Sequence, residues 1–197
     1  MTKHRGKIMF LAGVLAMLLA GWRGFPLVLY QRAAQPVDFN HVLHQDKAGM
    51  KCEDCHPFRD DGTFAGIPAL EKCSGCHTQA MGATAEEKRF IDTYVTPNRE
   101  VPWRVYARQP DNVYFSHIEH VKLGRLACEQ CHGPQGKTEK LRPYEQDRIS
   151  GYSRDIWGHS MSRIGLGPGD GKKMTDCESC HHERGVAQAE SCLACHK

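Results

Sequence analysis

The 197-residue sequence offers little from which to build an ordinary interior. Apolar residues make up 40% and aromatics only 8%, and part of that apolar content lies in one run near the N-terminus. Nineteen glycines and ten prolines add nothing bulky to bury. Such a chain cannot enclose a large aliphatic core unaided, so its fold must draw apolar bulk from a bound group. A strong charge excess is also missing. With 26 basic and 23 acidic residues the net charge is +3, which gives no basis for a nucleic-acid partner. Spare cysteines are absent as well: all ten fall into short-range pairs.

Those pairs are Cys52/Cys55, Cys73/Cys76, Cys128/Cys131, Cys177/Cys180 and Cys192/Cys195, each separated by two residues. A histidine follows every second cysteine: His56, His77, His132, His181 and His196. A redox dithiol, half a zinc site or a disulfide framework would also use paired cysteines. None of these requires the histidine, and here it is present five times in five. Cys-x-x-Cys-His is the spacing for covalent c-type haem attachment, in which two thiols bind the macrocycle and the adjacent imidazole binds iron from one side. Five haem c groups are expected. Their macrocycles would supply the missing apolar interior, and their propionates would make the loaded protein more acidic than its side chains alone suggest.

The N-terminus carries Lys3, His4, Arg5 and Lys7 and then an apolar run from Ile8 to Trp22, with apolar residues resuming after Arg23 as far as Tyr30. Ile8 to Trp22 alone has the length of a signal-peptide core, whereas Ile8 to Tyr30 can cross a bilayer. No good small-x-small cleavage pair is present: Leu18/Ala20 and Arg32/Ala34 fit poorly. The reading is an uncleaved signal anchor over residues 1–34, N-terminus in the cytoplasm, with residues 35–197 forming a periplasmic haem domain. That location is also where haem is attached to such motifs.

The haem domain contains an internal repeat. Val37-Asp38-Phe39-Asn40-His41-Val42-Leu43-His44 aligns without gaps to Val113-Tyr114-Phe115-Ser116-His117-Ile118-Glu119-His120, and the same offset of 76 carries Cys52–His56 onto Cys128–His132. Each unit reads Phe-x-His-x-x-His, a connector and a haem site, which defines modules at about 37–80 and 113–197. Ala85 to Tyr94 is predicted as a short helix followed by a turn at Thr96-Pro97-Asn98, and Val101 to Tyr106 as extended. The charge run Glu86-Glu87-Lys88-Arg89 reads as a solvated helix face. Gly133 to Gly171 is a long polar excursion, either held by partners or covering a haem. The last two haem sites, in the tail from Met174, should be close neighbours.

Five bis-histidine haems would need five distal ligands. Six histidines remain for that role: His41, His44, His117, His120, His159 and His182. Spacing assigns His41 to the first haem, His44 to the second, His117 to the third and His159 to the fourth, leaving His120 and His182 as alternatives for the fifth. His41/His44 and His117/His120 each lie one helical turn apart. The surplus histidine leaves room for a sixth haem without a cysteine motif. Met81, Met161 and Met174 are alternative distal ligands, which would raise a site's potential.

Phe-x-His-x-x-His followed by Cys-x-x-Cys-His, with the later Cys180-His181-His182 doublet, resembles the tetrahaem cytochrome c3 and trihaem cytochrome c7 family. The resemblance implies a mostly irregular, small-α multihaem cytochrome c of class III with one N-terminal transmembrane helix. It also implies that the first histidine of each pair (His41, His117) serves the next haem, that the second (His44, His120) crosses to another, and that His182 serves a neighbour. The first unit departs from the pattern, since Pro57 follows His56 where a second histidine would stand. With its anchor and the Val101–His120 stretch, the chain is similar to the multihaem subunits of Qrc-type menaquinone reductase complexes and to the pentahaem subunits of alternative complex III. The first resemblance implies a non-catalytic electron-transfer subunit. It would take electrons from periplasmic cytochrome c3 and work beside molybdopterin-like, iron–sulfur and polytopic membrane subunits in sulfate respiration. A haem enzyme such as an ammonia-forming nitrite reductase needs an open iron position, and no Cys-x-x-Cys-Lys is present to suggest one. A NapC/NrfH-type quinol dehydrogenase would share the anchor but not the repeat.

Overall fold

A computed structural model describes residues 2–24, 28–107, 112–149, 151, 153, 172–186 and 191–196. Its first element, α1 (Thr2–Leu19), continues as a π-helical turn over Ala20–Gly24. Within it His4–Trp22 has a mean hydropathy of 1.4 and is long and apolar enough to cross a membrane. Strand β1 (Tyr30–Ala33) follows and pairs antiparallel with β2 (Tyr144–Asp147), Tyr30 opposite Asp147 and Ala33 opposite Tyr144. The cross-strand pairs Arg32–Glu145 at 2.7 Å and Gln31–Gln146 at 3.0 Å add side-chain bonds to this ladder. It is the one sheet among the described residues.

Short helical segments make up most of the rest. Helix α2 (His41–Asp46) starts at Asn40, whose Oδ1 accepts from Leu43 N. In the second module Ser116, 76 positions on, takes the same place before the turn carrying His117 and His120, and its Oγ accepts from Glu119 N. Three further helices precede that turn: α3 (Cys52–Cys55), α4 (Leu70–Ser74) and α5 (Ala85–Phe90). Helix α5 continues as a π-turn over Ile91–Val95, so the expected helix is present with a widened last turn, and the turn at Thr96–Asn98 follows it. Helices α6 (Cys128–His132), α7 (Met174–Glu183) and α8 (Cys192–Cys195) carry the last three cysteine motifs.

The side-chain core is small: Val37, Leu70, Phe90, Tyr94 and Val101, flanked by Cys73, Ile91, Val95 and Trp103. It gathers at the second cysteine site and, among the described residues, leaves the others without an aliphatic interior. The described part of the long polar excursion lies against the first module. Thr138 O accepts from the amides of His41 and Val42, and β2 closes on β1. Of the excursion, residues 150, 152 and 154–171, His159 among them, lie outside the described residues.

Candidate functional site: five cysteine–histidine turns and the imidazoles that face them

Each Cys-x-x-Cys-His segment forms a single helical turn. At site I (Cys52, Cys55, His56), site II (Cys73, Cys76, His77) and site V (Cys192, Cys195, His196) the histidine amide donates to the carbonyl of the first cysteine, at 2.8, 3.0 and 3.0 Å. This i to i−4 bond brings both thiols and the imidazole onto neighbouring faces of one turn. The spacer residues help to start it: Asp54 Oδ2 accepts from Lys51 N, and Gln130 Oε1 from Ala127 N. Site III (Cys128, Cys131, His132) and site IV (Cys177, Cys180, His181) lie within α6 and α7. All ten cysteines are free of disulfides. Burial pushes the thiols of Cys55, Cys73, Cys128, Cys131 and Cys177 above their ordinary value. A redox dithiol depends on the opposite shift.

Distal histidines stand across from these turns. Ring centres are 6.0 Å apart for His44 and His77, 6.2 Å for His117 and His132, and 5.9 Å for His120 and His181. Two imidazoles facing one metal ion through bonds of about 2 Å stand roughly 6 Å apart, centre to centre. The His117 and His132 rings are also parallel to within 1°. His41 lies close to His56. Burial, then His56, then His44 lower its pKa to about 4, so it keeps a neutral ring, the form that binds metal. His120 therefore faces His181 at site IV, where the spacing argument had placed His159. The reason is the turn it shares with His117: sites III and IV lie side by side, so two histidines on one turn face one site each. Among the described residues neither His182 nor His196 faces another imidazole. Met81 and Met174 are exposed, and His44 rather than Met81 stands opposite His77. Met161 lies outside the described residues.

The ring orientations are fixed from behind. Phe39 meets His41 edge-on at 4.8 Å and stacks on His44 at 4.3 Å; Phe115 meets His117 edge-on at 4.9 Å and stacks on His120 at 4.5 Å. One phenylalanine thus braces two distal histidines in each module. The Nδ1 atoms are held by oxygen: His44 by Asn40 O, His120 by Ser116 O, His117 by Thr63 O, His56 by Gly66 O, His41 by Thr138 Oγ1 and His77 by Glu87 Oε1. Occupied Nδ1 atoms leave Nε2 for iron, the usual arrangement behind a metal-binding imidazole. The side chains therefore fit iron bound between paired imidazoles.

The sites adjoin in a definite order. Sites I and II share α2, and the Cys55 thiol pushes up that of Cys73 after burial. Sites I and III meet where Cys52 lies close enough to push the Cys128 thiol up, after burial. Lys122 and Glu53 bridge the same junction at 2.9 Å. The loop after site I also docks on the next module, with Ile118 N and His117 N donating to Gly62 O and Thr63 O. Gly62 has φ +69°, and a Cβ there would come within 2.7 Å of Ile118, so both the conformation and the approach require glycine. Sites III and IV share the His117–His120 turn, and the Cys180 thiol lies close enough to push Cys131 up. At site V, Cys195 does the same to Cys177 of site IV, and Tyr114 N donates to Cys195 O at 2.7 Å.

Glu87 was not legible as a site residue. The charge run divides: Glu86 pairs with Arg89 and Lys88 with Asp92, while Glu87 turns inward to His77. Its carboxyl pKa is lowered, first by the Met81 amide and also by the Gly82 amide and His77. Thr84-x-x-Glu87, a capping-box pattern, was the sequence signal that set Glu87 apart from its charged neighbours.

Two family descriptions match this chain: the class III cytochrome c family over residues 27–101, and cytochrome c7 and related cytochrome c over residues 113–197. The chain is also 36% identical over 205 aligned residues to the menaquinone reductase multiheme cytochrome c subunit of Nitratidesulfovibrio vulgaris. That alignment spans 98% of this chain and 90% of the relative.

Proposed function

Because this chain belongs to the family of multihaem cytochrome c subunits of menaquinone reductase, we propose that it relays electrons from a periplasmic cytochrome c3 toward quinone-reducing subunits of a membrane complex. Haem c is the cofactor of such cytochromes, and electron transfer is their role. Bound iron supplies one-electron exchange between its ferric and ferrous forms. The observation that carries the reading is the set of facing imidazoles: an iron held between two of them would exchange electrons and offer no open position to a substrate.

The ligand sets are His56 with His41, His77 with His44, His132 with His117, and His181 with His120. For site V, His196 takes its partner from His182 and His159, and the remaining histidine leaves the count of five open upward by one. The junctions give the order II–I–III–IV–V. Helix α1 acts as the membrane anchor, with Lys3, His4, Arg5 and Lys7 on the cytoplasmic side and residues 35–197 in the periplasm. Molybdopterin-like, iron–sulfur and polytopic membrane subunits complete the complex.

Purification of the complex from native membranes tests the assignment. Deleting this chain is expected to abolish menaquinone reduction by reduced cytochrome c3 while the other subunits remain assembled; undiminished reduction would refute it. Replacing residues 2–24 with a cleavable export signal, so that the chain is still exported and loaded with haem, should release it from carbonate-washed membranes, and retention would show that α1 is not the anchor. Replacing His120 with alanine should convert a single haem from low to high spin in the EPR spectrum. If the altered haem is the one that also responds to a His181→Met substitution, the site IV pairing stands; if they differ, it fails.

A further inference from the structure

Six of the histidines described above have a visible Nδ1 partner, and five of those partners are neutral oxygens. The sixth is the Glu87 carboxylate behind His77 at site II, at 2.9 Å. We propose that Glu87 is a positioning residue that lowers the reduction potential of site II, setting the end of the row apart from its interior. The proposal rests on the reading that His77 binds the site II iron.

The carboxylate is fixed in place. Glu87 Oε1 accepts from Met81 N at 2.8 Å as well as from His77, Oε2 accepts from Gly82 N at 2.8 Å, and the Glu87 amide is capped by Thr84 Oγ1. Its side chain is 12% exposed. The nearby cations are committed elsewhere, Lys88 to Asp92 and Arg89 to Glu86. On the other side Phe90 sets its ring at right angles to His77, at 5.9 Å, and belongs to the core that also touches Cys73. Site II thus combines contact with the small side-chain core and a negative charge behind its ligand.

The direction follows from the charge. A carboxylate drawing on the Nδ1 proton makes Nε2 a stronger donor, as second-shell acceptors do for other metal-bound histidines. It also places a fixed negative charge one imidazole away from the metal. Both effects favour the more positive oxidation state and lower the potential; second-shell bonding is one of the protein's levers on haem. A carbonyl or hydroxyl partner, as at His41, His44, His56, His117 and His120, contributes less because it carries no net charge.

The test uses the loaded complex, followed by potentiometric titration with EPR. His77→Met first marks the site II signal; if it alters no haem, the reading of His77 fails and the proposal with it. In Glu87→Gln the side-chain oxygen still accepts from His77 while the charge is gone. The marked haem should remain low spin and become at least tenfold easier to reduce at a fixed poise, about 59 mV for one electron, with the other haems unmoved. An unchanged or lowered potential in Glu87→Gln, beside an altered signal in His77→Met, would overturn the proposal while leaving the ligand reading intact. If Glu87→Gln does not take up its haem, Glu87→Asp decides: the withdrawn carboxylate should give a smaller positive shift, and no shift would count against the role.

Discussion

Replacing Cys128 and Cys131 with alanine is expected to leave four attached haems and no electron passage between the two ends of the chain. Site III holds the middle of the row. It touches site I through Cys52–Cys128 and the Lys122–Glu53 pair, and it touches site IV through the turn that carries His117 and His120. The described residues offer no second route from sites I and II to site IV. The same change at Cys192 and Cys195 should also leave four haems, yet keep sites II, I, III and IV in communication. Pyridine haemochrome assay gives the haem count, and rapid mixing with reduced cytochrome c3 gives the passage. Equal passage in the two double variants would refute the order. A count of six in the unaltered chain would show that the surplus histidine is used.

Phe115→Ala should disturb two haems at once. Its ring stacks on His120 and meets His117 edge-on, and those imidazoles face His181 and His132. Truncation removes the brace from both while leaving every ligand in place. Phe115 is only half-buried, so the stability loss should be about 1–2 kcal/mol, below the ~3–5 kcal/mol of a fully buried phenylalanine. The spectroscopic effect should exceed the thermodynamic one: broadened low-spin EPR signals from two sites, against a modest fall in melting temperature. Phe39→Ala should do the same to sites I and II. Broadening confined to one haem would show that the phenylalanine supports only the imidazole on which it stacks.

The cysteine turns, the repeat and two of the three facing pairs, His44–His77 and His117–His132, were legible in the sequence because each depends on local spacing. Two histidines three residues apart on a turn must emerge side by side, whatever surrounds them. The partner of His120 was a different kind of question. Counting along the chain favours His159 for site IV, as the histidine that precedes it, but ring pairing depends on how sites III and IV pack, which no local spacing encodes. Glu87 was hidden for a related reason. Beside Glu86, Lys88 and Arg89 it has the composition of a solvated helix face, and only the chain's return past His77 turns one of the four inward. The helix over Ala85–Tyr94 was found because its cap and its charges are local.

The antiparallel pair of β1 and β2 has a consequence for motion. Only five residues separate Gly24, where the apolar helix ends, from Tyr30, where the ladder begins. Fully extended, that leash reaches about 20 Å, and beyond it the chain is stapled by four residue pairs to a segment of the second half. On the proposed anchoring, a haem domain held this way cannot stray far from its own membrane helix in search of an acceptor. It can only pivot within a shell about as deep as a small domain is wide. Any acceptor must then come within that reach and stay there, where tethering holds the two at a high effective concentration. The short leash favours a standing contact over repeated encounters, and lengthening it with a flexible insert after Gly24 would trade one for the other.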